Sequence, residues 1–300
     1  MTRAMTLLVL AMLGLGPLPV AAQRAVHFDL FASDDADDTS VTKAGVTVDH
    51  WFEDLEHYRG VKLETVRIRP LGQSAWQDQR LYYRFADRGG SWLWNGQIGT
   101  DGDTLLGSAS VVRDVPRRQE YFVERDIVET PLGVQGLYYT FLGAAYDLPL
   151  DASGHRQVTG LVGVQDFSGD NVRTHLRGRV IAAVAPDAGV SVQLRARAFH
   201  NSAPFEFDYY SPRWFAEVLP VVQVRRFHSR WMFNAALGWG WQRDSESGTR
   251  PARMVEAGVT SPRVGRDSYL RATASYSNTP TSVGQSYGYR QVNLEWIRKF

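Results

Sequence analysis

The stretch NVRTHLRGRVIAAVAPDAGVSVQLRARAF, residues 171–199, decides the fold. One parity carries Val172, Thr174, Leu176, Gly178, Val180, Ala182 and Val184, and the other carries Arg173, His175, Arg177 and Arg179. Pro186-Asp187-Ala188-Gly189 is turn chemistry. The return run places Val190, Val192, Leu194, Ala196 and Ala198 on one side, with Gln193, Arg195 and Arg197 between them. This is a hairpin with one apolar and one cationic face. The thirteen residues from Val172 to Val184, tilted by about 45°, reach roughly 30 Å. Soluble strands typically run about 5–6 residues, whereas a bilayer's hydrocarbon core is about 30 Å thick. The apolar face therefore suits lipid and the arginines suit a wet interior.

The pattern recurs in RWMFNAALGWGWQ, 230–242. Trp231, Phe233, Ala235, Leu237, Trp239 and Trp241 share one face, and Asn234, Ala236, Gly238, Gly240 and Gln242 share the other. Bulky aromatics at both ends of one face suit the two aromatic girdles of a membrane barrel. A soluble sandwich strand is the competing reading; strand length and the arginine rows weigh against it. Weaker strands read near 26–33, 41–51, 61–69, 79–86, 91–99, 105–113, 120–130, 134–147, 156–166, 214–227, 252–261, 268–277 and 286–300. With 172–184, 190–198 and 230–242 the count is about sixteen, so the fold class is an all-β, transmembrane, antiparallel up-and-down barrel. In 61–69 the apolar residues change parity between Leu63 and Val66, which predicts a bulge or a shifted boundary. Connections alternate in length: 278–285, 243–251 and 200–213 are long, and 262–267, 228–229 and 186–189 are short. Long loops are expected outside and short turns in the periplasm.

At the N-terminus Arg3, the apolar run Leu7–Leu15 and Val20-Ala21-Ala22 have the layout of a secretory signal peptide over 1–22, which leaves 23–300 as the barrel. The run is short for a membrane anchor and is interrupted by Gly16-Pro17 and Pro19. Removing the leader, whose one charge is Arg3, takes the formal net charge from +1 to zero. The chain has no cysteine, so no disulfide framework is available in an oxidising compartment. At the other end QVNLEWIRKF, 291–300, alternates apolar and polar residues, with Val292, Leu294, Trp296 and Phe300 in phase. A closing strand with a terminal aromatic resembles the C-terminal signal that barrel assembly machinery recognises in bacterial outer-membrane proteins. Arg298 departs from that pattern, and a long cation at the rim can snorkel.

FEFDYYSPRWFAEVLPVVQVRRF, 205–227, crowds Phe205, Phe207, Tyr209 and Tyr210 into a long loop before Ser211-Pro212 opens a strand. Interface aromatics at a loop–strand junction are one reading. The other is a sugar-contacting surface of Phe207, Tyr209, Tyr210, Ser211, Pro212, Trp214 and Phe215. Tyr210-Ser211-Pro212, followed by Phe215 and a long apolar strand, resembles the Tyr-x-Ser-Pro or Tyr-Phe-Ser-Pro segment of one group of barrels. That group is the barrel domain of exopolysaccharide exporters of the cellulose and poly-N-acetylglucosamine type. VERDIVETP, 123–131, mixes charges into a strand in a similar way. The resemblance covers the barrel and implies a passive conduit for polysaccharide. Those exporters carry a tetratricopeptide superhelix before the barrel. Here the leader runs straight into strand-like sequence, so either a separate periplasmic helical-repeat protein does the superhelix's work or that work is not done and the chain assists as a stand-alone barrel. Outer-membrane lipid, the assembly machinery and polysaccharide are the other expected partners.

By parity Arg173, Arg177, Arg179, Arg195, Arg197 and Arg225 face the pore, with Glu217 on the same side. Such a patch attracts anions, unless acids on other strands neutralise it. Asp29, Asp49, Glu64, Glu120, Glu124 and Asp126 are the candidates, so the sequence by itself implies no acidic polymer. A general or anion-preferring solute porin is the second expectation. An outer-membrane hydrolase is the third and would need Ser, His and Asp at the rim. His200, Asp208 and Ser211 lie near one another in sequence, and His50 and His57 flank WFEDLEHY, without a catalytic spacing. DDADD, 34–38, lacks the glycine and closing glutamate of an EF-hand. HExxH, GxSxG and phosphate-loop motifs are absent from the sequence. No enzymatic activity, cofactor, metal or nucleic-acid partner is expected.

Overall fold

The computed structural model describes residues 23–35, 39–114, 117–262, 267–278 and 288–300. The signal-peptide residues 1–22, part of the DDADD run and most of 278–285 lie outside the described residues. The described residues form sixteen strands. The first eight are β1 (Ala25–Asp35), β2 (Ser40–Asp54), β3 (His57–Arg69), β4 (Trp76–Gly89), β5 (Trp92–Thr100), β6 (Leu105–Arg113), β7 (Gln119–Ile127) and β8 (Tyr138–Pro149). The second eight are β9 (Arg156–Phe167), β10 (Val172–Ala185), β11 (Val190–Asn201), β12 (Trp214–His228), β13 (Trp231–Asp244), β14 (Arg250–Thr260), β15 (Ser268–Ser277) and β16 (Tyr289–Lys299). Each pairs antiparallel with its sequence neighbours, and β16 pairs with β1 from Ala25↔Lys299 to Asp35↔Tyr289, closing the barrel. Closure leaves no unpaired strand edge, the condition for a sheet to stand in hydrocarbon.

Alternation places apolar side chains outward. Leu176, Val180 and Val184 on β10, Val192 and Leu194 on β11, and Leu237, Trp239 and Trp241 on β13 are all exposed on the outer face. Phe28 stacks on Trp296 across the β1–β16 seam at 5.5 Å between ring centroids. A continuous apolar belt of this kind is not what a water-soluble monomer presents; with a charged interior it is the surface of a membrane-spanning barrel.

The expected bulge in 61–69 is not there. β3 keeps continuous register with β4 from Tyr58↔Ala86 to Ile68↔Trp76. The parity change is a change of environment: Leu63 faces outward, while Val66 and Ile68 pack inside the mouth with Val41. The irregularities sit instead in β2, at Asp49/Trp51 and Phe52/Asp54. There Phe52 turns inward to pack with Ala25, Tyr269 and Ile297 at the end where β1 begins and β16 finishes, the terminal end of the barrel. The expected strands 120–130 and 134–147 are also displaced. β7 stops at Ile127, and a 3₁₀ turn at Gly133–Gln135 precedes β8.

Two turns at the terminal end are tight. Gly189 closes the β10–β11 turn at φ 65°, and a Cβ there would strike the Arg225 carbonyl oxygen. The β12–β13 turn is Ser229-Arg230, one residue later than expected, with φ of 48° and 68°, the left-handed pair that a two-residue hairpin requires. At the opposite end 128–137 and 202–213 are long, but 101–104 and 168–171 span only four residues each. The alternation of loop lengths therefore holds around 186–189, 202–213 and 229–230 but not around the barrel: 245–249, expected long, is shorter than 261–267, expected short.

Candidate functional site: the barrel lumen

The inward parity gives the lumen its chemistry. Three connected cavities of about 600, 430 and 750 Å³ occupy it. Phe31 and Lys43 line both the first and the second, and Tyr289 and Gln291 line both the second and the third.

Between the first two cavities a charged bridge crosses the barrel. Arg80 on β4 donates to Asp78 Oδ2 at 2.9 Å and to Asp126 Oδ1 on β7 at 2.8 Å, and its side chain is 1% exposed. Lys43 on β2 meets Asp126 at 3.4 Å and Glu129 at 2.8 Å. Lys62 on β3 bridges Asp29 at 2.8 Å and Glu64 at 2.7 Å. Four strands separate β2 from β7 along the wall, so the Lys43–Asp126 contact is a chord through the interior. Lys43, Lys62, Asp78, Arg80, Glu129 and Glu256 are absent from the sequence-based site. The alternation Asp78, Arg80, Arg84 on one parity of β4 was a visible signal for some of them.

The arginine wall stands on β10 and β11. Arg173, Arg177, Arg179, Arg195 and Arg197 share the inward face, with Arg177 opposite Arg197 and Arg179 opposite Arg195. Glu217 on β12 accepts two bonds from Arg197, at 2.8 and 3.3 Å. Glu256 on β14 accepts two from Arg195, at 3.0 and 3.2 Å. Arg225 has the same parity and sits exposed near the terminal end of β12.

At the other end the aromatic segment folds back onto the wall. Arg173 donates to the Tyr210 carbonyl at 2.6 Å and to Asn201 Oδ1 at 2.8 Å. Its guanidinium lies 4.6 Å from the Phe199 ring, 5.1 Å from Phe167 and 5.5 Å from Tyr209. Asn171 Nδ2 donates to the Tyr209 hydroxyl at 2.8 Å. Burial raises the Tyr209 pKa, against the opposing effects of that bond and of Arg173, so the hydroxyl stays neutral. Asp208 accepts from Thr130 Oγ1 and the Leu132 amide, both at 2.7 Å, tying the 202–213 loop to the 128–137 loop.

The seven residues expected at a sugar-contacting loop divide. Tyr209 and Tyr210 line the 430 Å³ cavity with their bodies buried. Ser211 and Pro212 are buried in the latch, with Ser211 Oγ donating to the Tyr209 carbonyl at 3.1 Å. Phe207 is half-buried against Tyr209, and Phe215 is buried facing inward, stacked on Phe199 at 5.0 Å. Trp214 has the opposite parity and faces outward, with Arg243 5.9 Å from its ring. Val292, Leu294 and Trp296 lie on the outer face of β16, and Phe300 is exposed just beyond it. His200 faces outward beside Trp214, whereas Ser211 is fully buried and Asp208 is held by Thr130 and Leu132; the three do not converge. His50 also faces outward, stacked with Tyr83.

Replacing Arg173 with alanine is expected to release this latch. Hydrogen bonds to a charged group are worth ~1.5–3 kcal/mol each, and Arg173 makes two. Limited proteolysis of the folded protein should then cut within 203–213 while the barrel core persists. Protection equal to the parent would mean that Asp208, together with Glu206, whose carboxylate accepts from the Asp170 and Asn171 amides, holds the loop without Arg173.

No family model matches the sequence, and neither does any curated protein. Among solved structures, one described as a bacterial polysaccharide outer membrane secretin superposes with a TM-score of 0.69 at 14% identity, covering 94% of this chain and 100% of that chain. The likeness is one of fold. The Acinetobacter baumannii protein OccAB3 gives 0.48 at 10% identity, covering 94% of this chain and 100% of its own. Pseudomonas aeruginosa OprD gives 0.46 at 8% identity, covering 96% and 97%.

Proposed function

We propose that the chain is an outer-membrane conduit, or part of one, through which an exopolysaccharide leaves a bacterial cell. The observation that carries this reading is the near-complete superposition on a polysaccharide secretin, 94% of this chain at a TM-score of 0.69. The lumen agrees with it. Its cavities present hydroxyls, amides and aromatic edges beside charge pairs, such as Ser108, Asn95 and Gln97 in the first and Tyr139, Tyr209 and Gln165 in the second. Sugars need such groups for lateral contacts during passage. Movement through the barrel requires no bond to be made or broken. In this reading the terminal end faces the periplasm, where a helical-repeat protein delivers the polymer, and the latched loops cap the outer mouth. Val292, Leu294, Trp296 and Phe300 serve assembly. A solute pore preferring anions is the second reading, favoured by the arginine wall.

Deleting the gene is expected to lower extracellular polysaccharide and to trap polymer in the periplasm, with both restored by the intact gene. Unchanged polymer in both places would sink the conduit and leave the solute pore.

A further inference from the structure

The six acids that were candidates to neutralise the arginine wall are engaged elsewhere. Asp29 and Glu64 hold Lys62, Asp126 holds Arg80 and Lys43, Asp49 meets His27, Glu120 meets Arg118, and Glu124 accepts the Tyr139 hydroxyl. Arg195 and Arg197 have Glu256 and Glu217. Among the described residues that leaves Arg177 and Arg179 without an acid at ion-pairing distance. Asp147 and Glu256 attract Arg179 only from beyond that distance, and Arg177 stands directly opposite the like-charged Arg197.

These two side chains are not stranded in a dry core. They line the 750 Å³ cavity, Arg177 exposed and Arg179 half-buried, and the facing wall offers Ser275, Ser277 and Gln291. Like charges directly opposite on neighbouring strands destabilise a sheet, and Arg177↔Arg197 and Arg179↔Arg195 are two such pairs in a row. Two glutamates offset two of the four charges. The remainder is a net positive station in a narrow, partly dehydrated lumen, where field lines concentrate on anions. A guanidinium pair beside hydroxyl and amide groups matches a carboxylate carried on a sugar ring, since arginine binds carboxylates in a bidentate fork.

We propose that Arg177 and Arg179 form a carboxylate-binding station and that the polymer conveyed is an acidic glycan bearing uronate or similar carboxylates. This rests on the conduit reading and narrows its substrate class.

The test is calorimetric titration of the full-length barrel, folded in detergent, with hexagalacturonate, with cellohexaose and with acetate at matched ionic strength. The acidic hexamer should bind well above both others. The R177Q/R179Q variant should lose roughly 100-fold of that affinity, about tenfold for each charge-assisted contact. E256Q, which frees Arg195, should bind the acidic hexamer several-fold more tightly, a gain that misfolding cannot mimic. Equal binding of both hexamers, unchanged in R177Q/R179Q, would overturn the acidic station while leaving a sugar conduit standing. Acetate binding as well as the acidic hexamer would overturn it in favour of a free-anion path. Failure of both hexamers would remove the station and the conduit reading together.

Discussion

Replacing Arg80 with methionine is expected to be among the most damaging single changes available to this barrel. Arg80 is 1% exposed and stands among three carboxylates: Asp78 at 2.9 Å, Asp126 at 2.8 Å and Glu64 at 3.9 Å. Methionine fills much of the volume but leaves Asp78 without its cation, with only Lys43 on Asp126 and Lys62 on Glu64 to offset the acids that remain. Breaking a buried ion pair by removing one partner costs about 3–5 kcal/mol, because the surviving charge is left uncompensated. Folded fraction measured over a urea series by heat-modifiable electrophoretic mobility should show a large drop in midpoint. The double variant R80M/D126N should recover part of it, since one orphaned charge is removed and Lys43 keeps Glu129 at 2.8 Å. An R80M protein as stable as the parent would mean that lumen water solvates the acids and that the bridge carries little load.

That bridge also marks where sequence reading runs out. Strand length and alternation are local properties, so a barrel was legible wherever both were strong. The expected strands 172–184 and 214–227 end within one residue of Val172–Ala185 and Trp214–His228. Facing direction followed from parity, which placed the arginines of β10 and β11 inward. Pairing across the lumen is not local. Arg80 and Asp126 lie 46 positions apart, and Lys43 and Asp126 lie 83 apart. Which cation meets which acid depends on closure and on depth along the barrel, neither of which has a period in the chain. Glu256 lies 61 positions from Arg195, and nothing local in the chain joins the two. The parity change in 61–69 was visible but misleading, because the inner surface near the mouth is apolar and packs beneath loops. Trp214 adjoins the loop aromatics in sequence, but its own strand parity turns it outward.

Removing β16 is expected to abolish the folded barrel altogether, whereas changing only the aromatic that follows it separates closure from recognition. β16 makes eleven Cα pairings with β1 and ten with β15. Without it both neighbours expose a row of backbone N–H and C=O groups to hydrocarbon, where each unsatisfied group costs several kcal/mol. A chain ending at Ser277 should therefore yield no heat-modifiable, membrane-inserted species, either in cells or on refolding into detergent. Phe300 is a different case. Its backbone exchanges hydrogen bonds with Arg24, at 2.9 and 3.1 Å, but its side chain is 68% exposed and packs little. F300A should thus refold in detergent with the parent's urea midpoint. If the terminal aromatic is what the assembly machinery reads, the same variant should accumulate unassembled in the periplasm of growing cells. A deficit in cells with none in detergent assigns Phe300 to recognition. An equal deficit in both assigns it to closure, and no deficit in either would show that Val292, Leu294 and Trp296 suffice.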